Sequence, residues 1–503
     1  MAYRSDFPRI CVALGCAEAD PLEKLARRAC DDGEEFLEFR LDMLRDPAAG
    51  VAVIRRLRQR HPEVHVLATC RRKPNGGHFR GSVEEELRLL EAAVEAGAQS
   101  VDVEVETAGA APGRLKPLAA GRAKVIVSYH NFQSTPALGP MLRRMEKIPA
   151  DLYKLVTTAR KPTDNLRVLD LARNPTGRPL VLLAMGEMGI ASRVLSLARH
   201  AAFTFAAPVS ADGTAPGQVS SRLLRRQYRA DRHTPATAVY GVIANPVGHS
   251  ISPAVHNRAF QAKRVDAVYL PFLVEEQQLA DFFLLAAKLP VEGFSVTIPH
   301  KQKVLRRLEA VDAPARRVGA VNTVYRRHGK LRGTNTDVAG VTIPLAKRLK
   351  LKGARVLVAG NGGAARGAAF ALADAGARVF LTGRSPERVR ALARVCGATA
   401  VDRARIGAEQ FDALVHATSV GMYPKIDESF FPDAIPAGVV FDMVYNPLET
   451  RLLRQARTAG KKVITGLEMF LEQAAAQFEI WTGATAPRLA MEEAAREALG
   501  AKG

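Results

Sequence analysis

Eight short apolar runs rich in β-branched residues open the chain, and each is followed by an amphipathic stretch: ICVALG, FLEFRLD, VHVLATC, SVDVEV, KVIVSYH, DLYKLVT, LVLLAM and AAFTFAA. Continuous apolar runs of this length read as strands covered on both faces, and strands alternating with helices make a parallel sheet. Eight such units in roughly 225 residues is the count and size of a (β/α)8 barrel. Polar side chains gather towards the C-terminal ends of the runs, at Glu38, Arg40, Arg71, Glu104, His130 and Lys154. In a barrel that edge carries the active site.

The 503 residues exceed what one core can organise, so two or three domains are expected. RADRHTPATA, at 229–238, is polar and without period and reads as a linker. A new β-α alternation begins at YGVIANP and ends in a hairpin-like VNTVYRRHGKLRGTNT; near 351 a strand-turn-helix-strand unit starts with RVLVAGNGGAARGAAF. The division read from the sequence is a barrel over 1–228, the linker, an α/β substrate-binding domain over 239–350, a Rossmann domain over 351–465 and C-terminal helices over 466–503 that pack back on the substrate domain.

The net charge of +21 raises the question of nucleic acid. The arginines are scattered, with no long basic run, zinc-finger spacing or aromatic-basic alternation, so the charge reads as a solvated surface that draws carboxylate and phosphate ligands. Histidines and cysteines show no metal-ligand spacing. Five cysteines without a C-x-x-C pair point to reduced thiols and a cytoplasmic setting. No apolar run reaches the ~18 residues that span a bilayer. ICVALGCA lacks the basic leader of a signal peptide.

Lys154 stands inside the apolar run DLYKLVT. A desolvated lysine moves towards its neutral, nucleophilic form, and lowering its pKa from ~10.4 to ~7–8 takes about 3–5 kcal/mol. From position alone, a lysine snorkelling from a strand end fits equally well. His130 changes the balance, because it ends the preceding run and reaches the same rim. A lysine imine acidifies the neighbouring carbon, and a histidine beside it can take that proton and return one to a leaving hydroxyl.

The segments EFRLD, TCRRKPNGG, SYHNF, YKLVTTA, MGEMGIASR and TAPGQ, in this order, resemble type I 3-dehydroquinate dehydratase over residues 8–228. The resemblance implies that Lys154 forms the imine and His130 is the acid/base. It also implies that Glu38, Arg40, Arg71, Arg193, Thr214 and Gln218 hold the hydroxylated ring and its carboxylate. Asn75 stands where many members carry Glu before the paired glycines. The expectation is that an orienting charge beside His130 is lost there, with a lowered histidine pKa and a shifted pH optimum.

In the second half, the strand RVLVA runs into the turn GNGGAA and a helix, the context a dinucleotide fingerprint requires. Gly360 permits the tight turn, Gly362 lets backbone approach a diphosphate, and Ala365 replaces the third glycine. The next strand ends in VFLTGRS, with Arg384 and Ser385 where an NAD enzyme places an acid. An arginine there attracts a 2′-phosphate and favours NADP.

PVGHSISPAVHN, FSVTIPHK, GAVNTV, GTNTD, ATSVGM, DMVYNP and GLEMFLEQAA together resemble shikimate dehydrogenase from about Tyr240 onward. By that resemblance Lys301 and Asp337 form the catalytic pair, and Ser250, Ser252, Thr297, Asn322, Tyr445 and Gln473 bind substrate. Gly360, Gly362, Gly363, Ala364, Arg384, Ser385 and Thr418 bind NADP. Asp337 also reads as a helix N-cap, and His300 replaces the apolar residue often found before the lysine.

Together the two resemblances imply a bifunctional chain of the shikimate pathway, in aromatic amino acid biosynthesis. The first half dehydrates 3-dehydroquinate to 3-dehydroshikimate and the second reduces that product to shikimate. Two alternatives stand beside this: a regulatory pseudoenzyme of the quinate pathway, which would have lost its catalytic residues, and a catabolic NAD-dependent quinate/shikimate dehydrogenase. Lys154, His130, Lys301 and Asp337 are present against the first, and Arg384 speaks against the second.

Overall fold

The computed structural model describes residues 7–115, 118, 123–172, 179–289 and 291–500. They fall into two compact units, residues 1–239, 245–248 and 266–291 in one and residues 240–244, 249–265 and 292–503 in the other. No described helix is long and apolar enough to cross a membrane.

All eight apolar runs become strands: β1 (Ile10–Leu14), β2 (Phe36–Arg40), β3 (His65–Thr69), β4 (Ser100–Glu104), β5 (Lys124–His130), β6 (Leu152–Thr158), β7 (Leu180–Met185) and β8 (Thr204–Ala206). Their order is β7-β6-β5-β4-β3-β2-β1-β8, each strand beside its sequence neighbour except where β8 returns to β1. Just ahead of β8, the Ala202 N–H donates to the Leu180 carbonyl at 2.8 Å and draws the two ends of the sheet together. The pairings are parallel, with Ser128 of β5 opposite both Glu104 of β4 and Lys154 of β6. One end of the interior is filled by Phe7, Phe36 and Phe203, whose rings lie 5.0–5.9 Å apart. Those rings make a dry floor and leave the C-terminal strand ends to the polar residues.

Helix ends follow local chemistry. The helix Val83–Glu95 starts with a capping box in which the Ser82 side chain accepts from Glu85 N–H and Glu85 accepts from Ser82 N–H. The same device, with Thr465 and Glu468, opens Gly466–Thr482. Each satisfies two amide donors that a helix start leaves without partners.

A second sheet contains β9 (Ala238–Ala244), β10 (Ala267–Leu273), β11 (Val291–Val296), β12 (Ala310–Val311), β13 (Thr323–Arg327) and β14 (Lys330–Thr334), in the order β10-β9-β11-β13-β14-β12. The hairpin-like segment is an antiparallel hairpin, β13 against β14. Its turn residues His328 and Gly329 have φ of +52° and +75°, the double left-handed conformation of a tight hairpin turn.

The third sheet contains β15 (Arg355–Ala359), β16 (Arg378–Thr382), β17 (Thr399–Ala400), β18 (Phe411–His416), β19 (Ala437–Asp442) and β20 (Lys462–Ile464). Its order, β17-β16-β15-β18-β19-β20, is that of the dinucleotide-binding Rossmann fold. The strand order reverses beside β15, so the glycine turn that follows it opens at the switch point.

Candidate active sites

The barrel cavity is lined by charged residues from several strands. Lys154, in the middle of β6, is 3% exposed, and its Nζ lies 2.8 Å from Asp102 Oδ2, 3.8 Å from Glu38 Oε1 and 4.1 Å from the centre of the Phe205 ring. Asp102 Oδ1 accepts from Ser128 Oγ at 2.6 Å. Burial pushes the Asp102 carboxyl up, but the charges of Lys154 and Arg71 win and hold it well below the usual range. Glu38 accepts from Thr69 Oγ1 at 2.7 Å, and Arg40 forks onto Asp42 at 2.9 and 2.8 Å.

His130 closes β5 two residues beyond the position opposite Lys154 and faces the same cavity. Its Nε2 lies 3.0 Å from Arg71 Nη2 and its Nδ1 2.5 Å from Glu104 Oε1. The second approach is close but outside hydrogen-bond angles, so it acts mainly as charge on the ring. Arg71 Nε also donates to Glu104, at 2.6 Å. Burial, with the charges of Arg71 and Lys154, moves His130 well below the usual histidine value, so the ring is neutral at pH 7 and able to accept a proton. Burial raises Glu104 to about 7 despite Arg71.

At position 75 the structure gives a specific partner. Asn75 Nδ2 donates to Glu106 at 3.2 Å, and the carboxylate beside His130 is Glu104. The lowered histidine pKa expected from the sequence is found, with burial and the charges of Arg71 and Lys154 as its causes.

Arg193 is 1% exposed. One of its nitrogens donates to the Phe205 carbonyl at 2.9 Å, while Nε and Nη2 find no protein partner. Burial lowers it to about 10, still charged at neutral pH. Leaving charged donors unsatisfied costs about 1–3 kcal/mol or more each, so two free donors on a buried fork suit a bound carboxylate. Thr214 and Gln218 reach the same cavity from the loop after β8, tied by a Thr214 N–H to Gln218 Oε1 bond of 2.7 Å. The cavity, about 600 Å³ with its open mouth, has room for a small hydroxylated ring acid.

In the second unit Lys301 Nζ and Asp337 Oδ2 are 2.6 Å apart. Asp337 is not the N-cap: Thr336 holds that position, and the Asp337 carboxylate is left for Lys301 and for Asn322 Nδ2 at 2.8 Å. Asn322 Oδ1 in turn accepts the Thr336 N–H at 2.8 Å. The backbone brings Thr297 and Lys301 to this group, because Val296 N–H donates to the Asn322 carbonyl and Val321 N–H to that of Lys301. His300 is wholly buried.

The helix Gly466–Thr482 reaches the same place: Gln477 Nε2 donates to the Asn322 carbonyl at 3.2 Å, and Gln473 lies one turn earlier beside Gly340. The Tyr445 ring packs at a tilt against Phe470, whose carbonyl accepts from Gln473 Nε2. Ser250 Oγ accepts the N–H of Ser252, the first residue of the helix Ser252–Ala262.

The glycine turn fits a dinucleotide. Gly360 has φ +138°, and a Cβ there would fall 2.7 Å from the Ala417 carbonyl oxygen, so glycine is required. At Gly362 and Gly363 an added Cβ would meet nothing within 4 Å, which leaves the approach to the N-terminus of Gly363–Asp374 clear. Ala364 and Arg384 are exposed, and Ser385 begins the helix Pro386–Cys396 as its N-cap. Thr418 Oγ1 contacts His416 Nε2, and His416 Nδ1 lies 2.8 Å from Asp442, whose other oxygen accepts from Thr450 Oγ1 at 2.6 Å. The wholly buried His416, Asp442 and Thr450 beneath the loop after β18 were not read from the sequence.

Asp102 and Ser128 were also missed, and Glu104 was seen only as a rim residue. The signal was present in SVDVEV, where two acids share one face of a strand covered on both sides and each needs a partner.

The fold and the two sites define the class: a barrel lyase joined to a dinucleotide-dependent dehydrogenase. Comparison with known proteins narrows it. Residues 10–235 match the family model described as type I 3-dehydroquinase, 242–324 the shikimate dehydrogenase substrate binding domain, and 466–496 the shikimate 5′-dehydrogenase C-terminal domain. The chain is 36% identical over 499 residues to the bifunctional 3-dehydroquinate dehydratase/shikimate dehydrogenase, chloroplastic, of Arabidopsis thaliana, covering 93% of this chain and 82% of that protein. It is also 41% identical to the NADP(+) shikimate dehydrogenase of Moorella thermoacetica, over 53% of this chain and 95% of that one. A solved shikimate dehydrogenase in complex with NADP+ matches 52% of this chain and 96% of its own with a TM-score of 0.50 and 35% identity. The chain belongs to the bifunctional 3-dehydroquinate dehydratase/shikimate dehydrogenase family.

Proposed function

We infer that the chain catalyses two consecutive steps of the shikimate pathway, dehydrating 3-dehydroquinate to 3-dehydroshikimate in the barrel and reducing that product to shikimate with NADPH in the second half. The observation that carries the reading is the barrel cavity itself. A buried lysine, a histidine and a buried arginine with two free donors face one space.

Lys154 Nζ attacks the ketone and forms an imine with loss of water. The cationic nitrogen withdraws electrons and makes the adjacent carbon acidic; neutral His130 takes the proton and then delivers one to the departing hydroxyl. Glu104, against the imidazole, stabilises the charge the ring gains. Arg193 holds the substrate carboxylate, and Glu38, Arg40, Arg71, Thr214 and Gln218 hold the ring. Water then hydrolyses the imine and releases the enone.

In the second half, NADPH held at the glycine turn would supply the hydride. Gly360, Gly362, Gly363 and Ala364 would hold its diphosphate and Arg384 and Ser385 its 2′-phosphate, with Thr418 on the loop beyond β18 beside it. Lys301 places positive charge and a proton beside the oxygen that becomes alkoxide, and Asp337, fixed by Asn322, orients the ammonium. Ser250, Ser252, Thr297, Tyr445 and Gln473 hold the substrate carboxylate and hydroxyls. The working units are the barrel at 1–228, the substrate domain at 239–350, the NADP domain at 351–465 and the helices at 466–503. Five free cysteines suit a reducing cytoplasm.

The test is turnover of the full chain with 3-dehydroquinate and NADPH. Shikimate should form, and a Lys154→Ala variant should make it only when given 3-dehydroshikimate. Failure of the wild type to consume 3-dehydroquinate contradicts the reading.

A further inference from the structure

We propose that Asp102 is the fixed counter-ion of the Lys154 nitrogen, balancing its positive charge from the free ammonium through to the protonated imine. The proposal rests on the reading of Lys154 as the imine lysine.

Every other carboxylate near this nitrogen is engaged elsewhere or stands farther off. Glu38 is 3.8 Å away and accepts from Thr69; Glu104 serves Arg71 and His130; Asp42 is forked by Arg40. Asp102 lies at 2.8 Å, and its second oxygen is pinned at 2.6 Å by Ser128, the β5 residue between the two strands that carry the pair. Both partners are buried, and the Phe205 ring faces the nitrogen at 4.1 Å. A buried carboxylate held this way cannot swing to water, so it stays beside the nitrogen throughout the reaction.

The charge balance of the reaction matches the placement. An ammonium and a ketone give a protonated imine and one water: a C–N bond forms, the C–O bonds break, and both water hydrogens come from nitrogen. The nitrogen is cationic before and after, so one fixed anion suits both states. Attack itself requires the nitrogen to shed a proton for a moment, and Asp102 is the nearest acceptor. Once the imine has formed, the anion keeps it protonated, which is the form that pulls electrons from the adjacent carbon. Asp102 is itself kept ionised by Lys154 and Arg71 against the effect of its burial. The other groups facing the nitrogen are Glu38, Arg40, Arg71, Glu104, His130 and the thiol of Cys11.

Borohydride reduces the protonated imine, so trapping as a function of pH reads the proposed charge directly. In the full-length wild type with 3-dehydroquinate, the Lys154 adduct should persist into alkaline pH. In Asp102→Asn the yield should fall away at a pH at least about one unit lower. Dehydration should drop about 100-fold or more at pH 7 while NADPH-dependent reduction of 3-dehydroshikimate is unchanged. Asp102→Glu should recover part of the alkaline trapping. Should Asp102→Asn fail to fold, Ser128→Ala decides, with a smaller shift in the same direction expected from an unpinned carboxylate.

A folded Asp102→Asn, or that Ser128→Ala substitute, with the wild-type rate and trapping profile overturns the role given to Asp102. A wild type that forms no adduct at Lys154 overturns the imine reading itself, which separates the two failures.

Discussion

In the barrel, Lys154, Asp102, Arg71 and Glu104 are each at most 5% exposed and each is matched by an opposite charge within 3 Å. In the second unit, Lys301 and Asp337 keep 33% and 22% exposure, and the glycine turn stands open. The difference follows from what each half must supply. On the proposed imine mechanism the barrel has only side chains to work with, so the cationic nitrogen and its proton acceptor must be held in a dry interior where electrostatic effects are strong. In the reductase half the hydride comes with the cofactor, and the protein provides a cradle, a proton and orientation. The first site is built mainly at strand ends, the second mainly at turns and helix starts.

The separation can be broken at its strongest point first. Lys154→Ala should lower dehydration by at least about 10⁴-fold, as removal of a covalent nucleophile does. Reduction of 3-dehydroshikimate in the same preparation should be unaltered; a parallel fall in both activities breaks the comparison. Lys301→Met should do the reverse, cutting kcat of reduction by about 10²–10³-fold with dehydration unchanged in a direct absorbance assay. Arg384→Ala should raise KM for NADPH by about 10–100-fold, the worth of a charge-assisted contact. KM for NADH should stay put, because no phosphate meets that position.

The mildest effects concern pH. As pH falls through about 7, Glu104 takes up a proton and His130 loses its negative neighbour, so dehydration should decline on the acid side. Reduction should not share that limb, and Glu104→Gln should flatten it while lowering the plateau. Asn75→Glu should leave the limb where it is, since residue 75 faces Glu106. Movement of the limb in Asn75→Glu would return the orienting role to position 75.

How much of this was legible depended on whether a residue's reason lies within its own segment. All eight barrel strands could be read, since a strand covered on both faces announces itself as an uninterrupted apolar run. Lys154 and Arg384 stood out because each breaks a local rule, a cation inside a buried strand and a base where an acid is usual. Asp102, by contrast, is explained by a lysine two strands away, and sequence spacing carries no trace of that 2.8 Å contact. The partners of Asn75 have the same origin. The resemblance marked 75 as a position where many relatives carry Glu, but only the turn at 73–76 shows that the Asn75 side chain meets Glu106, while β4 delivers Glu104 beside His130. Asp337 reads as a helix cap from its neighbours, yet the turn places Thr336 one step earlier and frees the carboxylate for Lys301.

The central claim, that the first half works through a covalent imine while the second works independently of it, meets its most direct test in one trapping experiment. The full chain is treated with 3-dehydroquinate and borohydride, digested and mapped by mass spectrometry, and the same sample is assayed for NADPH-dependent reduction of 3-dehydroshikimate. The account predicts a reduced adduct on Lys154, loss of dehydration and full retention of reduction. An adduct on another lysine, or no adduct in protein that still dehydrates, would contradict it.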